Sequence, residues 1–395
     1  MTHYFNKKNF SLLAGLLVAG LTTATSVSAQ TSPDVSIVGS SSRVIPIALA
    51  GFSGEAQEIL RFDLYVAGFD IVSAGQGDWE LDAKSGGELE AVLNNVAAKT
   101  ETFHRSYPGG SGRARAHALA DDVVEAVTGR KGIFKYKVAF KLDLGRSSEI
   151  AVADYDGGNM VQLTQDGSLV AAPTWGAGHR SLFYTSYKSG YADIYYHDLG
   201  TGARRMLANF PGVNSSASVS PDGRQVAMIL SKSGSPDLWV VNVDGSNLRQ
   251  LTGTKEDESS PCWSPDGSTI CFTSRESGVG QLYTISASGG TMRRLATVGM
   301  GNISEPDWSP DGKTIAFTHM KRGDNFEICI VPAGGGAPTE LTPGEDASWA
   351  PNSRTLIFVR KDRYVPHLSL LDVPTKHVKD IARMTGSCSQ PSWSR

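Results

Sequence analysis

The sequence predicts an α/β N-terminal domain followed by an all-β six-bladed propeller closed by the C-terminal strand. Three observations predict it. Ser-Pro-Asp-Gly recurs at 220–223, 264–267 and 309–312, with worn copies in Trp349-Ala-Pro-Asn-Ser353 and Pro391-Ser-Trp-Ser394. An apolar residue precedes each Ser-like position, and Trp175 extends the series backward. Trp175, Val219, Trp263, Trp308, Trp349 and Trp393 stand in steps of 44, 44, 45, 41 and 44 residues. A period of that length built of short strands belongs to propeller blades. Before about residue 136 the texture changes, and helical spacing alternates with short apolar runs.

Residues 1–29 read as a secretory signal. Lys7 and Lys8 form a positive n-region without any acid, Leu12 to Leu21 a short apolar core, and Val27-Ser28-Ala29 a small-residue cleavage site. Cleavage after Ala29 would start the exported chain at Gln30. An uncleaved anchor is the alternative, but the apolar core is short for a membrane span. No later stretch is apolar enough to cross a membrane, so no direct membrane insertion is expected. The formal charge of −3 is spread along the chain. No basic patch points to nucleic acid.

Residues 30–135 are expected to form the small α/β domain. Residues 44–52 are a buried-strand run. From Glu55 to Val66, Ile59, Leu60, Leu64 and Val66 fall on one side of a helix, and Phe69-Asp-Ile-Val72 reads as a strand. Arg113 to Val127 is the clearest helix, closed by Thr128-Gly129. The Gly-rich stretch Pro108-Gly-Gly-Ser-Gly112 lacks the Gly-Lys-Ser/Thr ending of a phosphate cradle and reads as a plain turn.

From 136 onward each repeat holds four strand-like runs. In the 263–296 repeat the Asp-Gly turn separates the Trp263 strand from 269–274, followed by runs at 281–285 and 292–295. Gly takes the positive φ such turns need, and Asp or Asn tolerates it. Six inner strands end near 175, 219, 263, 308, 349 and 393. Six outer three-strand sets lie near 136–164, 181–208, 225–252, 269–296, 314–342 and 355–382. The first outer set lacks an inner strand before it, and the last inner strand lacks an outer set after it. Residues 389–394 are therefore expected to complete the blade begun at 136–164, which removes exposed edges.

Catalytic signatures are missing from the sequence. There is no Gly-x-Ser-x-Gly and no His-Glu-x-x-His, and the eight histidines are scattered. Asp222, Asp266 and Asp311 repeat with the turns, which favours turn geometry over catalysis. Asp154, Asp156 and Asn159 resemble the start of a calcium loop but lack its closing Glu, so a hairpin turn is the better reading. No metal and no cofactor is expected. Cys262 and Cys271 flank one turn. A disulfide is one reading; two small buried residues in adjacent strands is the favoured one. Segments leading into each inner strand are polar and varied: Asn214-Ser-Ser216, Asp257-Glu-Ser-Ser260, Asn302-Ile-Ser-Glu305 and Gly344-Glu-Asp346. They are expected to be loops at the mouth of the ring, where recognition tends to reside.

Residues 127–134 (Val-Thr-Gly-Arg-Lys-Gly-Ile-Phe), a strand at 137–140, Ala153-Asp-Tyr-Asp-Gly-Gly-Asn159 and the iterated Trp-Ser-Pro-Asp-Gly closely resemble the TolB family of the Tol–Pal system. The likeness covers about 127–395. It implies a non-enzymatic, monomeric periplasmic scaffold that links a Pal-like lipoprotein to a TolA-like inner-membrane protein and maintains outer-membrane integrity during cell division. It points to Val213, Ser216, Ser259, Ser260, Ser304 and Glu305 for Pal contact at the mouth. It points to Asp34, Val35 and Ile37 for TolA contact. Two departures stand out: Val213 replaces a typically polar residue, and Gly176-Ala-Gly178 replaces the first Pro-Asp-Gly turn. The other reading is an exported propeller enzyme, a hydrolase or sugar-acting protein, with its site in the central channel. It would need His, Asp or Arg projecting inward from several blades.

Overall fold

A computed structural model describes residues 43–84, 89–323, 325–384 and 386–395. The expected signal peptide, its cleavage after Ala29, and Asp34, Val35 and Ile37 all lie outside the described residues. None of the described helices is long and apolar enough to cross a membrane.

The α/β region runs β1 (Ile45–Ala50), α1 (Gly54–Val66), β2 (Phe69–Val72), β3 (Trp79–Lys84), β4 (Leu89–Asn95), β5 (Thr100–Tyr107) and α2 (Gly112–Thr128). Its sheet has the order β2-β1-β3-β4-β5. β1 pairs parallel with β2 and β3, while β3, β4 and β5 form an antiparallel meander. The meander is the part that helical and apolar spacing did not resolve. Both helices formed where their apolar stripes predicted. The Gly-rich stretch before α2 is an N-cap: Ser111 Oγ accepts from the Ala114 amide at 3.1 Å. Gly129 closes α2 with φ 70°, its amide donating to the Glu125 carbonyl at 2.8 Å.

Six four-stranded sheets follow as a ring. Their inner strands are Val170–Trp175, Asn214–Val219, Glu258–Trp263, Ile303–Trp308, Glu345–Trp349 and Ser387–Trp393, here numbered blades 1 to 6. Blade 6 joins Ser387–Trp393 to β6 (Lys137–Asp143), β7 (Ser148–Asp154) and β8 (Val161–Gln162), in the order expected. Its closure is bonded on both sides: the Ser394 amide donates to the Lys137 carbonyl, and the Lys137 amide to Ser394 Oγ, each at 2.9 Å.

The turns behave as their residue types require. Ser220 Oγ, Ser264 Oγ and Ser309 Oγ donate to Asp222, Asp266 and Asp311 at 2.6, 2.5 and 2.6 Å. The same carboxylates accept the amides of Arg224, Ser268 and Lys313. Gly223, Gly267 and Gly312 hold φ near 70° (71°, 70° and 76°). Hydrogen bonds from the serines and the turn amides hold Asp222 and Asp266 below the usual carboxylate range. The tryptophans at the strand ends wedge between blades. The Trp175 indole donates to the Ser392 carbonyl at 2.9 Å, and that of Trp263 to the Ser218 carbonyl at 3.0 Å. Cys262 and Cys271 face each other across the first two strands of blade 3 and are free, buried thiols.

Antiparallel order puts the first and third turns of every blade on one face of the ring and the second turn and inter-blade connection on the other. The α/β region packs on the first of these, the lower face, under blades 5 and 6. One apolar cluster runs through both parts, from Leu60, Leu64, Leu119 and Val123 to Phe140, Ile357, Val359 and Trp393. A buried polar knot accompanies it. Asp63 of α1 accepts from the Tyr155 hydroxyl and from His117 Nδ1 of α2, the latter at 2.8 Å. Arg113 of α2 is paired with Asp154, at 3.3 Å, and with Asp156. The Asp154–Asn159 segment is thus a hairpin, as read, whose acids also tie the two parts together.

Candidate docking site at the propeller mouth

The ring encloses a channel of about 450 Å³ lined by all six inner strands. Six non-glycine residues take left-handed φ at one place in those strands: Ala172 (49°), Ser216 (56°), Ser260 (51°), Glu305 (56°), Asp346 (57°) and Gln390 (52°). At each, pairing with the second strand shifts by a residue. These are β-bulges that present one side chain per blade to the channel. A single left-handed residue at a channel would suggest a functional strain. Sixfold repetition assigns it first to the architecture.

This corrects one expectation. The polar segments before the Trp series are not mouth loops. They begin the inner strands themselves, and the bulge turns them inward. Among the residues expected to contact a partner, Ser216, Ser260 and Glu305 are the bulge residues of blades 2, 3 and 4 and line the channel. Ser259 and Ser304 precede two of them, half-buried, paired in the ladder with Thr273 and Thr318, and stand outside the lining. Val213 lies on the rim, 43% exposed, its amide bonded to Ser231 Oγ at 2.7 Å. Ala172, Asp346 and Gln390 complete the ring; Asp346 lay in a segment expected at the mouth but was not singled out, and Ala172 and Gln390 were missed. The signal was present: each stands three residues before its tryptophan.

The channel's charged groups are engaged with the backbone of neighbouring blades. Glu305 accepts from Thr318 Oγ1 at 2.7 Å and from the Asp346 amide at 3.2 Å. Burial, then the adjacent Glu305 carboxylate, pushes Asp346 well above the usual carboxylate range. Asp307 accepts the Trp349 amide at 2.7 Å and pairs with Arg395. The channel wall holds no histidine among the described residues. Nor do those residues contain a cluster of three or more potential metal ligands.

Around the channel the upper face is apolar and basic. Leu169, Tyr187, Tyr191, Val213 and Tyr364 all stand exposed there, Tyr191 at 75% and Tyr364 at 96%. Each blade also raises an exposed basic residue on its second turn: Lys188, Lys232, Arg275, Arg322, Arg363 and, in blade 6, Arg146. Glu276 and Asp362 share two of those tips. An apolar patch rimmed by charge marks a surface for macromolecules.

Fold and site together define a closed six-bladed propeller with exposed aromatic side chains on one face of the ring. Residues 124–395 match the family model of the TolB beta propeller domain, and the chain belongs to that family. A Tol-Pal system protein TolB from Francisella tularensis subsp. mediasiatica is 38% identical over 127 residues, 30% of this chain and 29% of that protein. One from Polaromonas naphthalenivorans is 32% identical over 237 residues, 52% of this chain and 55% of that protein. The matches thus span well under two thirds of these relatives. The crystal structure of TolB from Acinetobacter baumannii superposes with a TM-score of 0.79, covering 89% of this chain and 96% of that one at 22% identity. That likeness speaks for the fold.

Proposed function

We propose that this chain is a non-enzymatic scaffold of a periplasmic Tol–Pal system. In this reading the mouth face binds a Pal-like lipoprotein, with Val213, Ser216, Ser259, Ser260, Ser304 and Glu305 at or near the contact. Asp34, Val35 and Ile37 bind a TolA-like inner-membrane protein. The assembly maintains outer-membrane integrity during division. The observation that carries the reading is the concentration of exposed aromatic and aliphatic side chains on the upper face, around a channel whose charged groups already serve the ring. Family membership supports it, and so does the relatives' name. The basic tips favour a partner surface with an acidic margin.

The two sites would be linked. Pal docking biases whether the N-terminal segment folds back or is released to TolA, and linkage requires the reverse effect as well. The test is a pull-down from a cross-linked envelope fraction, using the exported chain, its mouth variant Tyr191→Ser with Tyr364→Ser, and a deletion of 30–40. The reading expects a Pal-like lipoprotein with the unaltered chain, its loss with the mouth variant, and loss of the TolA-like protein with the deletion. Recovery of neither partner by the unaltered chain sinks it. A deletion that leaves both affinities unchanged sinks the linkage.

A further inference from the structure

On the lower face the blades are locked by repeated turns. A Cβ built on Gly267 would lie 3.7 Å from Pro221 Cδ, and one on Gly312 would lie 3.9 Å from Pro265 Cγ. At these two seams the proline of one turn therefore seats on the glycine of the next. The seam between blades 6 and 1 cannot be closed this way. The inner strand of blade 6 and its neighbour β6 are not joined by a turn. Blade 1, at the next position, carries Gly176-Ala-Gly178 in place of Pro-Asp-Gly. At that seam lies a cleft of about 610 Å³. It is of the size that holds small organic molecules.

The cleft is basic and partly apolar. Lys135, Lys137, His179 and His197 line it, Trp175 and Leu199 supply part of its apolar wall, and no lining residue is a carboxylate. Lys137 is compensated by Asp154 at 2.8 Å, across the first hairpin of blade 6. Lys135 stands exposed over the Tyr136 ring, its ammonium 5.7 Å from the centroid. His197 is only 6% exposed, yet its Nδ1 has no hydrogen-bond partner. A buried polar atom left unpaired costs about 1–3 kcal/mol. A ligand atom that reaches this nitrogen would remove that cost. Burial, then the nearby Arg204, lowers the His197 pKa. The neutral ring therefore offers one donor and one acceptor nitrogen rather than a charge.

We propose that this cleft binds a small amphipathic organic anion, with its acidic group at Lys135, a polar atom at His197, and its apolar body against Trp175 and Leu199. Lys135 belongs to the connection between α2 and β6, whereas the other groups belong to blades 6 and 1. The ligand therefore clasps the connection to the ring. This inference is independent of docking at the mouth.

The test is isothermal titration of the full chain with octanoate, with octyl phosphate and with neutral octanol. Either anion, or both, should bind saturably at one site, and the comparison says whether a carboxylate or a phosphate is preferred. Octanol should bind at least about tenfold more weakly. Lys135→Glu, an exposed change that leaves packing intact, should weaken the anion about tenfold. His197→Phe should weaken it too, with a melting temperature that reports whether the blade still folds. Three results would overturn the inference: no saturable binding of either anion, octanol bound as well as the anions, or anion binding unchanged by Lys135→Glu.

Discussion

The two faces of the ring are built from the same antiparallel blades and treat their side chains in opposite ways. On the lower face, aspartates of the turns are spent on local hydrogen bonds: Asp222, Asp266 and Asp311 close the first turns, and Asp198 and Asp244 accept amides in the third turns of blades 1 and 2. The α/β region covers part of this face through Asp63, His117 and Arg113. On the upper face, Tyr191 and Tyr364 expose apolar surface with no neighbour to cover it, and the basic tips stand outward. Away from the cleft between blades 6 and 1, the lower face is where the sequence satisfies itself. The upper face is where it leaves surface free for something else. Substitutions on the lower face outside that cleft should therefore act on stability, and those on the upper face on the proposed docking.

The largest effect expected is at the buried knot. Asp63→Ala removes the acceptor shared by Tyr155 and His117 and leaves both buried without it. Breaking one side of a buried pair costs about 3–5 kcal/mol. Denaturant unfolding should show a loss of that order. If the loss is under about 1 kcal/mol, the knot is not holding the two parts together. Next comes the upper face. Tyr364→Ser, at a side chain almost wholly in solvent, should leave unfolding within about 0.5 kcal/mol of the parent. It should weaken capture of a Pal-like lipoprotein by about tenfold, the scale of an aromatic anchor. Captured partner should also fall with added salt, because exposed charges are screened beyond about 10 Å at 0.1 M. A tyrosine variant that destabilises the ring, or binding indifferent to both changes, would erase the contrast between the faces.

How much of this was legible depends on the range of the interaction concerned. Asp266 and Gly267 act on neighbours in sequence, and Trp263 and Pro265 recur with them at the blade period, so their spacing carried the turn, the blade and the closure of the ring. The left-handed bulge also repeats with the period. Its occupants are Ala172, Ser216, Ser260, Glu305, Asp346 and Gln390, which share no chemistry, so the pattern was in position and not in residue type. Asp63, His117 and Tyr155 come from three distant stretches, and nothing local in the sequence announces that they meet. Exposed tyrosines such as Tyr191 lie in turns, where composition alone does not say whether a ring is covered. Val213 was singled out by resemblance and does stand on the rim, whereas Ser259 and Ser304 are held in the strand ladder.

A smaller effect is expected from the turn glycine. Gly267→Ala places a Cβ at φ 70°, in open space apart from Pro221, so strain of the backbone is the main cost. About 1 kcal/mol is expected in denaturant unfolding. The matching change at Gly112, whose Cβ would meet nothing and whose φ is not in the left-handed range, should cost less or even stabilise α2. Equal costs at the two sites would remove conformational demand as the reason for glycine in the repeat.

The smallest effect is a pH dependence of the knot. Burial lowers the His117 pKa, but the hydrogen bond and charge of Asp63, with Asp156 beyond, outweigh it, and the net shift is upward against the opposing Arg113. Tyr155 also faces the same carboxylate. A group that holds its proton more tightly when folded stabilises the fold fully below its unfolded pKa, about 6.5. That contribution is lost as pH rises through the higher folded value. Asp63 is itself raised, by its burial first, so its shift has the same sign at lower pH. The melting-temperature gap between the parent and His117→Gln should therefore be widest near pH 6 and narrow toward pH 9, the order of range set by the unfolded histidine value. A gap that is flat or widens over that range would mean that His117 is neutral in the fold. The tie between helix and ring would then be an ordinary hydrogen bond between a carboxylate and an uncharged ring.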